Sequence, residues 1–136
     1  MNIPSLAIAL ALTSGCYQTR LLRPGDVPPT TARVAPDQRL AVWQTAIGVL
    51  LDDGFVPDTL DATAGYISAK ARDDVNDDTL QHTRVIVRIQ PDGLVRVQVS
   101  GVGQFASDEA LAATVTDTQK KLFDQIMHAA AAPGAT

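Results

Sequence analysis

From residue 37 onward, apolar positions recur with two different periods. Leu40, Trp43, Ile47 and Leu50 fall at helical spacing, with Ala46 beside them, which is the stripe of an amphipathic helix. Asp37 stands where an N-cap belongs. Gly54 follows Asp53 as a stop, and Phe55 supplies the hydrophobic contact that accompanies such C-caps. Gly48 lies inside this helix, where it costs about 1 kcal/mol against alanine unless a strand passes close to its backbone.

The period then changes to two. Residues 55–59 predict a short edge strand, because Pro57 forbids a central one. Residues 61–65 read as a turn. In residues 66–72, Ile67, Ala69 and Ala71 share one face, and Tyr66, Ser68, Lys70 and Arg72 share the other. Residues 80–90 alternate again, with Val85, Val87 and Ile89 against Arg84, Ile86, Arg88 and Gln90. Pro91-Asp92-Gly93 is a hairpin turn. Residues 94–100 return with Val95, Val97 and Val99 inward and Arg96 and Gln98 outward, and Gly101 and Gly103 predict a bulge or bend. Helical spacing resumes after Ser107, a second N-cap, with Asp108 and Glu109 at the positive end of the helix dipole. Leu111, Val115, Leu122 and Ile126 form its stripe, widened by Phe123 and Met127. A sheet with one apolar face needs one cover layer. The order therefore predicts an α+β domain over residues 37–131, α-β-β-β-β-α. An antiparallel sheet of three to four strands carries two helices on one face, and residues 132–136 form a tail.

Residues 17–36, YQTRLLRPGDVPPTTARVAP, contain Pro24, Pro28, Pro29 and Pro36. Proline interrupts regular structure, so residues 16–36 are expected to be a semi-extended linker. Arg20, Arg23 and Arg33 outweigh Asp26, which suits a tether lying near anionic headgroups or a docking strip for a partner. Before it, residues 6–12 are apolar throughout, LAIALAL, and Thr13, Ser14 and Gly15 lead to Cys16. Seven apolar residues are too few to span a bilayer, which needs about 20, but they match the core of a secretory signal. The stretch resembles the signal of bacterial lipoproteins. In that family the cysteine sulfur receives a diacylglycerol, the signal is cut before it, and the new amino group is acylated. The resemblance implies a signal peptide over residues 1–15, Cys16 as the lipid anchor, and a chain facing the periplasm. Tyr17 in place of aspartate favours the outer over the inner membrane by the same resemblance. Cys16 is the one cysteine, so the domain must hold itself by packing rather than by a disulfide.

The pattern W-x(6)-L-x(3)-GF-x(5)-D-x(3)-G-x-I-x-A is carried by Trp43, Leu50, Gly54, Phe55, Asp61, Gly65, Ile67 and Ala69. It resembles the helix-grip domain of BamC-like outer-membrane lipoproteins, which serve the β-barrel assembly machinery. The likeness spans about residues 40–127. It implies a helix-grip fold, in a chain with one such domain where BamC has two.

Composition narrows the function classes. The net charge is −4, from 15 acidic and 11 basic residues, which gives no general pull toward nucleic acid. His82 and His128 are the two histidines, and no spacing brings them together with other ligands into a metal site. Asp74, Asn76 and Asp78 have the first spacings of a calcium loop. Thr79 replaces its glycine and Val85 its final glutamate, so a solvated hairpin tip is expected. No nucleophile and base pair is visible, so neither an enzyme nor a cofactor is expected.

One surface stands out. Lys70, Arg72, Arg84, Arg88 and Arg96 share the outward parity of three strands, and the hairpin turn sets Arg88 opposite Arg96. Like charges opposed across a sheet are unfavourable. The set is the candidate site for another envelope protein or an anionic envelope component. The expected function is that of a non-catalytic envelope lipoprotein, an accessory or adaptor working through this face or a sheet edge. The alternative is a periplasmic module holding an apolar or anionic small molecule behind Trp43 and Phe123.

Overall fold

The computed structural model describes residues 18–22, 26–72 and 81–131. The signal segment, Cys16, Arg23, the aspartate-rich stretch 73–78 and the tail 132–136 lie outside these. The fold is α+β, an antiparallel sheet with two helices packed against it. In chain order the elements are β1 (Gln18–Leu22), β2 (Thr30–Arg33), α1 (Arg39–Asp52), β3 (Phe55–Asp61), β4 (Tyr66–Ala71), β5 (Gln81–Ile89), β6 (Leu94–Phe105) and α2 (Asp108–Ala131). The sheet runs β1-β6-β5-β4-β3, and β2 also pairs with β6.

The three strands after residue 65 follow the alternation, and β3 is an edge strand in which only Phe55 is buried. Ile67, Ala69, Val85, Val87, Ile89, Val95, Val97 and Val99 are buried beneath the helices. α1 covers β3, β4 and β5, while α2 covers β6, β1 and β2. Ser107 caps α2, its Oγ accepting from the Ala110 N–H at 3.1 Å, and Leu111, Val115, Leu122, Phe123 and Ile126 are buried along its length. Gln119 lies in the same stripe and is also buried.

The chain between residues 18 and 36 departs from the expected linker. Gln18–Leu22 pairs with residues 101–105 of β6, and Thr30–Arg33 pairs with residues 94–97. The sheet therefore has six strands rather than three to four. The prolines do not prevent this because Pro28, Pro29 and Pro36 flank β2 without interrupting it, a placement that edge strands tolerate. Leu22 and Val27 join the core. The Val34 N–H donates to the Gly93 carbonyl at 2.9 Å. Gly93 has φ +91°, and a Cβ there would collide with the Val34 carbonyl, so the hairpin tip and the entering chain fit only around glycine.

Three local expectations are corrected. Leu40 is 54% exposed, because the buried face of α1 is centred on Val42, Ala46 and Leu50, four residues apart. Asp37 lies inside a short 3-10 turn, Pro36–Gln38, and no side chain caps α1. The last strand does not stop at residue 100, since β6 continues to Phe105 because β1 pairs alongside it. A bulge does fall opposite Gly101, with the extra residue on β5 between Gln81 and Arg84. The other helix boundary stands, with the Gly54 N–H donating to the Leu51 carbonyl at 3.2 Å and Phe55 buried behind it.

Candidate functional site

Both helices lie on one side of the sheet, so the opposite face meets none of the described helices. That face displays the outward set. Lys70 is paired in register with Arg84, Tyr66 with Arg88, and Arg88 with Arg96. Arg72 follows the end of β4, where its N–H donates to the Gly54 carbonyl at 3.0 Å. Lys70, Arg72 and Arg88 are exposed, and Arg84 and Arg96 are half-buried. The expected opposition of Arg88 and Arg96 is thus present.

Arg84 differs from the others. Its Nη1 donates to Asp58 Oδ2 at 2.8 Å and to Ser68 Oγ at 2.6 Å. Asp58 sits at the β-bulge of β3 between Pro57 and Thr59, which brings its carboxylate over the outer face. The Arg84 hydrogen bond holds the Asp58 carboxyl below its ordinary pKa of 3.8, against some desolvation. Arg84 is therefore neutralised within the sheet. Among the described residues, the ion pairs join Arg20 to Asp108, Arg33 to Asp92 and Arg84 to Asp58. None joins Lys70, Arg72, Arg88 or Arg96. Arg88 instead stacks over the Tyr66 ring, with Cζ 5.3 Å from its centroid, an arrangement that orients a guanidinium without cancelling its charge.

Two depressions flank Arg88. One, of about 230 Å³, is lined by Pro29, Ile86, Arg88, Arg96 and Gln98. The other, of about 400 Å³, lies toward β3 and includes Thr59, Tyr66, Arg88 and Gln90. Tyr66 and Gln98 were legible as outward residues. Their role beside Arg88 was not, because it depends on pairing between strands.

Two of the linker arginines are structural. Arg20 donates through Nε to the Phe105 carbonyl at 3.1 Å and through Nη1 to Asp108 at 2.8 Å, tying β1 to the start of α2. Arg33 meets Asp92 at the hairpin tip at 2.8 Å, where Arg33 and the Leu94 N–H lower the Asp92 pKa.

The layer between sheet and helices is filled by Ala46, Leu50, Ile67, Val85 and Val87. Trp43 closes its edge, donating from Nε1 to the Tyr66 carbonyl at 3.2 Å, and Phe123 is buried. His128 is exposed in the last turn of α2. Among the described residues no cluster of His, Cys, Asp or Glu has metal-site geometry, and no helix is long and apolar enough to cross a membrane. In comparisons with known proteins, no family model matches the chain and no curated protein is significantly similar to it.

Proposed function

We propose that this chain is a non-catalytic lipoprotein of the cell envelope, anchored through acylated Cys16. It acts as an accessory or adaptor by docking an anionic envelope component on the outer face of its sheet. The observation that carries this reading is the contrast between the sheet's two faces. The inner face is sealed by helices, while the outer one presents Lys70, Arg72, Arg88 and Arg96 without an ion pair among the described residues. A protein of net charge −4 has aspartates enough to neutralise these groups, and among the described residues only Arg84 receives one on this face. Guanidinium, ammonium and amide donors suit an anion, and the buried Ser68 hydroxyl is bonded to Arg84. The filled layer behind Trp43 supports docking over an enclosed small-molecule site.

The test is made on the mature chain purified from membranes. Its intact mass should correspond to a chain beginning at Cys16 and carrying diacylglycerol and an acyl group. A photo-crosslinker at Gln98 should capture an envelope component that one at Asp117, on α2, does not. A chain without lipid on Cys16, or crosslinks confined to the helical side, would contradict the reading.

A further inference from the structure

Resting on that reading, we infer that the anionic component is the phospholipid surface of the anchoring membrane, against which the outer sheet face lies flat. Cys16 precedes β1 by two residues, a reach of at most about 7 Å. β1 begins opposite Phe105, so the anchor holds one end of the sheet at the lipid surface. A domain held so closely meets headgroups at high effective concentration before it meets anything else.

The face has the composition of an interfacial surface. Leu22 is buried, so its neighbour Leu21 points to the outer side, where it is 61% exposed. Val56 is 39% exposed and paired in register with Lys70 on the same side. Apolar side chains interleaved with cations that have no ion pair among the described residues match a membrane surface, since each kind contributes separately. An acidic protein segment would use the cations and leave Leu21 and Val56 without a role. Along β6, Arg96 lies nine residues from Phe105, roughly 30 Å away. The anchor and the Arg88–Arg96 pair are thus two moorings at opposite ends of the strands, and together they lay the sheet parallel to the bilayer. Gln81 pairs with Val102, near where β1 begins, so β5 starts at the anchored end, and Arg88 lies seven residues along it, roughly 23 Å away. The electrostatic mooring is thus assigned to the Arg88–Arg96 end and not to the anchored one. Asp52, Glu109, Asp117 and Asp124 are exposed on the helical side, which disfavours the inverted orientation on an anionic surface.

The experiment uses the mature chain, residues 16–136, with Cys16→Ala, so that neither the signal segment nor the lipid plays a part, and sedimentation with vesicles of phosphatidylcholine with or without phosphatidylglycerol. Lipidation of the wild-type chain is scored separately by mass, so failure of the anchor and failure of the face are distinct results. Partition should require phosphatidylglycerol and fall with salt. The added change Arg88→Gln/Arg96→Gln should weaken it roughly thirty-fold, from the two arginines together. Lys120→Gln/Lys121→Gln, an equal change of charge on α2, should leave it within about three-fold. Equal loss in both double variants, no preference for phosphatidylglycerol, or capture by polyaspartate but not by vesicles would overturn the inference.

Discussion

Gln119 is bonded to Val99 across the layer between α2 and β6. Its Oε1 accepts from the Val99 N–H at 3.0 Å, and its Nε2 donates to the Pro28 carbonyl at 2.8 Å and to Thr30 Oγ1 at 3.0 Å. Val99 falls between the stretches of β6 that β2 and β1 pair, residues 94–97 and 101–105. One amide side chain, 1% exposed, therefore serves the gap between two edge strands. A buried backbone N–H left without a partner costs about 1–3 kcal/mol. Gln119→Met, similar in shape and unable to make these bonds, should lower stability by about 2–3 kcal/mol in urea unfolding. It should also speed hydrogen exchange at the Val99 amide. A change below about 0.5 kcal/mol would mean that water replaces the amide.

This contact explains how much of the fold was legible. Strands β4 to β6 and both helices follow from local periodicity, because each buries a face that its own residues define, while β3 was legible as an edge strand from Pro57. β1 and β2 do not. Gln18–Leu22 and Thr30–Arg33 are short, flanked by prolines, and become strands only because β6 is long enough to pair both. Gln119 reads as a polar break in an apolar stripe until the gap it fills is known. The cationic set was legible by parity alone. Which of its members is neutralised was not, since Asp58 reaches Arg84 through a bulge at Pro57 that alternation does not show.

The N-terminal strands imply that residues 37–131 are not a self-sufficient unit. Without residues 18–36, β6 loses its outer partners and becomes an exposed edge, a template for association. A chain starting at residue 37 should unfold at lower urea concentration than one starting at residue 18. It should also show concentration-dependent association in sedimentation velocity. Equal stability and a monomeric fragment would assign β1 and β2 a negligible share of the fold.

Gly48 offers the opposite effect. It lies inside α1, and a Cβ built there meets nothing within 4 Å, so the strand that would justify a glycine is not close. Gly48→Ala should stabilise the protein by about 0.5–1 kcal/mol through helix propensity, seen as a higher urea midpoint with unchanged slope. A loss of stability would show that the flat surface at Gly48 is occupied.

Asp58 sets a pH dependence. Its pKa is lowered in the folded chain, chiefly by the Arg84 hydrogen bond. The stability it contributes is present above the unfolded value of 3.8 and is lost as pH falls through the lower folded value. Both partners are partly exposed, at 41% and 34%, so the effect on global stability is small. The clearer readout is the carboxyl chemical shift. Asp58 should titrate below 3.8 in the wild-type chain, and Arg84→Gln should move its midpoint upward. An unmoved midpoint would mean that Arg84 and Asp58 do not pair in solution.

The central claim is that Arg88 and Arg96 are kept for a ligand and not for the fold, and urea unfolding of Arg88→Gln/Arg96→Gln tests it most directly. Removing the opposed pair relieves a repulsion of a few tenths of a kcal/mol, and losing the stack on Tyr66 at an exposed site costs about 0.5–1 kcal/mol. The variant should therefore lie within about 0.5 kcal/mol of the parent, with the same slope, while its partition onto anionic vesicles collapses. A loss of about 2 kcal/mol or more would make these arginines structural and contradict the assignment of the outer face as a docking surface.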